Sequence, residues 1–430
     1  MPAIPRERHL PVRPNLDQLK HQAKDLLRDL RSGGAEATAD FAEFHPEKIE
    51  VVTAKLADAQ LVLARSYGAA SWPRLVQSWE IVDAIWEDDI ARVRKLVSEH
   101  PNLIHEEALV RPPGKISNWG PPMTYAANVG RDEIIRMLHG MGAKDHTRAI
   151  GRAILQSKIG TAKMLHAMAG FPAPPADELG GPAYTLSDSG TAFVFEIGGK
   201  AVDEAGKRLA PVDVVLETDS RKPAAKHAIL EMYVKHGLEL PDTAPMALHR
   251  GRIDLLEKHL KADPGMLSRQ FRWEEIYPPE MGWHDEVLAT HGTPLGGATL
   301  LHMCCDYDEL EIAKWLVARG ADVNARAAPD EDGFGGHTPL FLTVVAQPNF
   351  WMNHHDRPKV APFARLLLDA GADPNARASL RKQIHPGYDP NDTLREYRDV
   401  TPLGWGRRFH FRKLVSEPAM KLIEEAGGAE

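Results

Sequence analysis

Hydrophobic and polar positions alternate most regularly over residues 299–326, TLLHMCCDYDELEIAKWLVARGADVNAR. Leu300 and Leu301, then Ile312, Leu316 and Val317, recur at helical spacing on either side of a polar midpoint at 306–309. The pattern predicts two short amphipathic helices joined by a tight turn. Gly320 ends the second helix where a left-handed residue is wanted, and Asp322 and Asn324 suit the turn that follows. Two helices this short cannot enclose a core of their own, so they must stack on similar neighbours.

A neighbour follows at once. Thr338-Pro339-Leu340-Phe341 opens it and residues 364–377, ARLLLDAGADPNAR, close it. These words resemble the ankyrin repeat, whose signature runs Thr-Pro-Leu-His, Leu-Leu and Gly-Ala-Asp. Here it reads Thr299-Leu300-Leu301-His302, Leu316-Val317 and Gly320-Ala321-Asp322. The resemblance is tight over 299–377, looser over 81–165 and 242–260, and absent from the insertions. It implies a mainly α fold: a solenoid of about seven or eight partly degenerate helix pairs joined by β-hairpin fingers. It also implies that the His302 ring hydrogen-bonds the backbone of the adjoining turn.

Towards the N-terminus, Asn15 can cap a helix with Gln18 three residues on. An apolar stripe at Leu16, Leu19, Ala23, Leu26, Leu27 and Leu30 then runs to Gly33-Gly34. A second helix is expected over about 55–67. Ser71 caps a third that carries Trp72, Leu75, Val76 and Trp79 on one face. Residues 14–80 resemble a small helical module that often precedes ankyrin arrays in bacterial proteins, which implies a cap over the first repeat. The array then occupies 81–430, with insertions at 172–224, 264–298, 346–361 and 378–400. Within the first insertion, 192–197 and 212–217 read as two strands joined by a long turn.

A chain of 430 residues exceeds one compact core, so two domains or a long solenoid are expected. Its 43% hydrophobic and 26% charged residues are ordinary for a soluble protein. A net charge of −8 with both signs interspersed argues against a nucleic-acid-binding face. The sequence shows no membrane-length apolar run and no signal-peptide core, which places the chain in the cytoplasm. Cys304 and Cys305 stand side by side and read as small buried thiols, with a vicinal redox pair as the alternative.

Candidate chemistry gathers in the enlarged fingers, at about 105–121, 172–224, 264–298 and 378–400, all expected to project from one edge. They carry Trp119; Tyr184, Asp188 and Glu196; Trp273, Tyr277, Trp283, His284, Asp285, Glu286 and His291; and Tyr397 and Arg398, next to Trp405 and Arg407. Aromatics beside paired charges suit a partner protein or a small-molecule ligand. The leading reading is a binding protein that grips a partner protein with its concave face and long fingers. Trp283 and Trp405 would be its anchors, with Trp273, Tyr277, His291, Tyr397, Arg398 and Arg407 around them. The alternative is an enzyme whose pocket lies between the fingers, with His284, Glu286 and Asp285 as acid and base. His354, His355 and Asp356 form a second cluster. Neither spacing matches a metal signature, and the sequence has no phosphate loop, nucleophile elbow or Cys-x-x-Cys, so neither metal nor cofactor is expected.

Overall fold

A computed structural model describes residues 15–105, 120–218, 220–278, 292–346, 359–384 and 392–430. Trp119, Trp283, His284, Asp285, Glu286 and His291, and the cluster at His354, His355 and Asp356, lie outside these residues. The chain divides into two compact units, residues 1–172 and 173–430. Among the described residues no helix is long and apolar enough to cross a membrane.

Among the described residues the first unit's elements are all helical: α1 Leu16–Arg31, α2 Ala35–Phe44, α3 Leu56–Ser66, α4 Trp72–Trp86, α5 Ile90–Glu99, α6 Pro122–Val129, α7 Asp132–Gly140, α8 His146–Leu155 and α9 Ile159–Met168. The Asn15 side chain caps α1 by accepting from the Asp17 and Gln18 amides, both at 3.0 Å. The α1 stripe packs with Phe41, Ala59, Val62, Leu63, Leu75 and Trp79 into one core, and Trp72 sits at its margin. The second helix, α2, is absent from the sequence reading. Gly34 precedes it with no side-chain cap, and only Ala37, Asp40 and Phe41 are buried. The helix α4 runs without a break across positions 80 and 81, leading from the N-terminal helices into the first helix pair. Pairs α4/α5, α6/α7 and α8/α9 then stack, with α4 on α6, α6 on α8 and α5 on α7.

The second unit holds α10 Gly180–Thr185, α11 Asp188–Glu196, α12 Val212–Glu217, α13 Pro223–Lys235, α14 Ala244–His249, α15 Ile253–Ala262, α16 Trp273–Ile276, α17 Leu300–Tyr307, α18 Leu310–Ala318, α19 Pro339–Val344, α20 Pro362–Asp369, α21 Pro402–Arg408 and α22 Glu417–Glu425. Its one named sheet among the described residues is the antiparallel pair β1 Ala378–Lys382 and β2 Arg395–Val400. Inner helices stack on inner helices, α17 on α19 and α19 on α21, and outer on outer, α18 on α20 and α20 on α22. Leu300, Leu301, Ile312 and Leu316 are buried as the periodicity requires.

The expected strands at 192–197 and 212–217 are helices instead. Ser187 accepts from the Gly190 amide at 3.0 Å and starts α11, and Pro211 precedes α12. Short apolar runs fit a buried strand or a buried helix equally, and packing decides. Here α10 lies on α12 and α11 on α13, so the segment supplies a further helix pair where a hairpin was expected. The connection between α11 and α12 is compact: Val202 and Arg208 bridge, and Asp203 Oδ1 accepts from the Ala205 and Lys207 amides. The expected finger at 378–400 does contain paired strands. Opposite Ser379, two residues, Arg398 and Asp399, bulge from β2, and Asp399 is left-handed with φ 48°. The bulge puts Tyr397 and Val400 on the same buried face.

One connection reaches past a neighbouring pair. The Arg221 guanidinium, between α12 and α13, lies 3.0 Å from the Asp306 carboxylate and donates to Asp306 O at 2.8 Å. Beside it, Glu309 takes Lys226 Nζ at 2.9 Å and His227 Nε2 at 2.7 Å. His227 crosses the α14–α15 turn at Gly251, where φ is +66° and an added methyl would stand 2.2 Å from the imidazole. Only glycine fits that crossing.

Candidate functional site

Successive fingers of the second unit are joined backbone to backbone. Within fingers the Phe271 amide donates to Ala298 O and Gly336 N to Ala327 O; between fingers Ala328 N donates to Gly297 O, and Gly335 N to Ser379 O at 2.6 Å. That last approach needs Gly335, whose φ is +128° and whose added methyl would lie 2.6 Å from Ala328 O. The three fingers enclose a cleft of about 410 Å³ lined by residues 272–274, 294, 296, 297, 328–330, 334, 335, 337 and 380–382.

Trp273 forms part of the cleft wall, half-buried, its ring centre 4.4 Å from that of Tyr277. Phe334 is buried in the opposite finger, with the Arg381 and Arg398 guanidiniums 5.0 and 4.4 Å from its ring centre. Asp330 and Asp332 each hold Arg381 at 2.8 Å, and their hydrogen bonds raise its pKa further. His337 donates from Nε2 to Pro294 O at 3.0 Å, leaving Nδ1 with no partner among the described residues. Burial, reinforced by nearby His302, lowers the His337 pKa to about 3, so its ring stays neutral. His302 bonds Thr299 through Nδ1 and His337 O through Nε2 at 3.1 Å, the backbone contact its position implied.

The sequence-predicted residues separate into distinct groups. Trp273, in the cleft wall, is together with Tyr277, and Arg398 stacks on the cleft residue Phe334. Tyr277 is fully buried beneath Trp273, near His249 and Tyr307. Tyr397 and Trp405 form another cluster with Phe409 and His410, the Tyr397 and Trp405 rings edge to face at 4.8 Å. Trp405 is completely buried, which makes it core and not a surface anchor. His410 joins the Tyr397 hydroxyl to the Asp392 carboxylate, the latter at 2.9 Å, and so fastens the hairpin to the body. Arg407 is exposed and paired with Glu424 and Glu430. The enzyme reading's His284, Asp285 and Glu286, together with Trp283 and His291, lie outside the described residues.

Phe334 and His337 are not among the residues to which finger length points, because their finger, before α19, is close to ordinary length. The available signal is Phe334 itself, an aromatic set among Gly333, Gly335 and Gly336. Among the described residues, no group of three or more His, Cys, Asp or Glu is arranged to hold a metal ion. Cys304 and Cys305 are buried free thiols, and burial lifts both thiol pKa values, Cys304 to well above the usual range.

Residues 296–328 match the family model of the ankyrin repeat. That repeat supplies two of the cleft's lining segments, 296–297 and the residues around 328. Ankyrin repeats are general protein–protein interaction modules. The solved structure of the human ASB11 ankyrin repeat domain aligns with 72% of this chain and 99% of that one, at 14% identity and a TM-score of 0.27. No curated protein matches the sequence.

Proposed function

We propose that the chain binds a partner protein, and that the cleft between the three fingers receives an apolar side chain of that partner. The carrying observation is that successive fingers, hydrogen-bonded to one another, build a single cleft walled by Trp273 and Phe334. Its volume suits one large side chain or a short extended segment. An indole in the wall and a paired arginine at the edge are the residue types that dominate recognition energetics. The partner would also run along the inner helices beside the fingers. The cleft offers aromatic surface, glycine backbone, one neutral acceptor nitrogen and a charged border of Arg272, Glu274, Asp330, Arg381 and Lys382, with Asp330 and Arg381 paired, which suits holding a ligand. His302 and His337, neutral and committed to backbone contacts, lend the enzyme alternative no support.

A photo-crosslinking residue in place of exposed Glu274 tests the reading. Discrete partner crosslinks that vanish in a Trp273→Ala background, with helicity unchanged, are expected. Equal crosslinking in both backgrounds would reject the cleft as the contact.

A further inference from the structure

A second cavity, of about 520 Å³, lies at the other end of the same helix pairs. Its lining comes from the connections between inner and outer helices: Asp308 between α17 and α18, Ala346 and residues 359–361 between α19 and α20, and residues 413–416 between α21 and α22. The fingers leave from the opposite ends of these helices, so cavity and finger cleft are separate. We propose that this turn-edge cavity is a second docking surface, for an acidic, apolar segment of a partner protein.

Three observations carry the assignment. The walls are chiefly apolar, with Leu342, Phe363, Leu414 and Val415 among them. At the rim, Val360 is 71% exposed, an aliphatic side chain left in water beside an apolar hollow. The hollow continues as a shallower groove of about 660 Å³ between α20 and α22, reaching Arg365 and Leu422. An apolar hollow that runs into a groove bordered by charged side chains suits one large anchoring side chain with a helical or extended polar flank.

Charge decides which flank fits. Lys359 and Arg365 border the track and make no ion pair among the described residues, and Lys413 lies 5.7 Å over the Phe411 ring. The bordering carboxylates are mostly engaged: Glu417 with Arg412 at 2.6 Å, Glu425 with Lys421 at 3.9 Å and Asp306 with Arg221 at 3.0 Å. Among the described residues Asp308 alone offsets Lys359 and Arg365, and the lining they form stays net positive. A partner segment with Asp or Glu on either side of its anchor meets complementary charge at Lys359 and Arg365. A basic segment meets repulsion there.

Panning the full chain against a phage-displayed library of random peptides tests the proposal, with affinities then read by fluorescence anisotropy of the enriched peptides. Peptides bearing a large apolar residue flanked by Asp or Glu are expected. Val360→Glu should weaken them by about tenfold or more, equivalent to about 1.4 kcal/mol. Lys359→Glu should weaken them while Lys359→Arg restores binding, and Trp273→Ala should leave them unchanged. Both substituted residues are exposed, so the fold is retained and circular dichroism verifies it. Failure to enrich any peptide, enrichment of neutral or basic ones, or indifference to Val360→Glu would overturn the proposal. Loss of binding on Trp273→Ala would reassign the peptides to the finger cleft. Binding that appears only after deletion of residues 347–358 would make the chain its own occupant, and would equally overturn it.

Discussion

The indole N–H of Trp405 donates to the Thr293 hydroxyl at 3.0 Å across 112 positions, and Thr293 in turn donates to the Val345 carbonyl at 2.7 Å. This chain ties the entrance of the ankyrin repeat to α19 and α21. Trp405→Ala should therefore cost about 3–5 kcal/mol, as for other buried aromatic truncations. Trp405→Phe, which keeps a ring but leaves the hydroxyl without its donor, should lose less of the packing and about 1 kcal/mol from the bond. Urea unfolding of both variants measures the difference. An alanine variant as stable as the wild type would mean that α21 is wrongly placed.

Leu316 is buried in α18, which packs on α17 and on the outer helix α20. Its replacement by alanine should lower stability by about 2–5 kcal/mol. A loss under about 1 kcal/mol, read from the same urea midpoints, would contradict the register of that helix.

Gly251 makes room for His227 to reach Glu309. Gly251→Ala introduces a side chain at a positive φ and drives its methyl into the imidazole. A destabilisation of about 1–3 kcal/mol is expected from the strained backbone and the displaced contact. His227→Ala alone should lose the contact without the backbone strain. If the glycine variant melts at the wild-type temperature, His227 does not cross there.

Two buried histidines should each weaken the fold as pH falls through mild acidity. Burial takes His302 from the usual 6.5 to about 4, and His337 from 6.5 to about 3. Unfolded, both titrate near 6.5, so between pH 6.5 and about 4 protons bind the unfolded chain and not the folded one. Their stabilising effect is complete above pH 6.5 and diminishes as pH falls, by up to about 1.4 kcal/mol per unit for each ring. Glu309 behaves differently: burial raises its pKa, but Lys226 and His227 outweigh this and depress it below the ordinary carboxylate range. Its contribution is present above that range and lost only at lower pH. Glu178 and Asp308, raised by burial to about 7 and about 6, gain stability over the same fall in pH and oppose the histidines. Urea midpoints at pH 8, 6.5 and 5 are therefore read for the wild type and for His337→Gln, and an identical pH dependence in the two would refute the histidine effect.

How much of this was legible in the sequence depended on punctuation and length. The pairs α17/α18 and α19/α20 were readable because long apolar stripes end at Gly320 and Gly371, both left-handed in the structure. The helix α2 was not, because Gly34 gives no capping side chain and its apolar face is narrow. Residues 188–217 misled because a six-residue apolar run has no distinguishing period. Trp273 and Arg398 stand out as an aromatic and a charge in long connections; Trp273 lines the cleft, and Arg398 lies over the Phe334 ring without lining it. Nothing in composition separates Trp405, which is core, from an indole at a surface; that distinction arises only when α21 packs on α19.

The contacts of Arg221 with Asp306, and of Lys226 and His227 with Glu309, bear on how the second unit comes apart. In a stack where each layer touches only the next, melting can start at any weak layer and spread one layer at a time. Here the α14/α15 layer is spanned by bonds between the layers on either side of it. It cannot be lost without separating buried charges from their partners, which is far costlier than losing the layer's own packing. Amides from α13 to α18 should thus exchange hydrogen as one cooperative block, with the shortest helices in that span as protected as their neighbours.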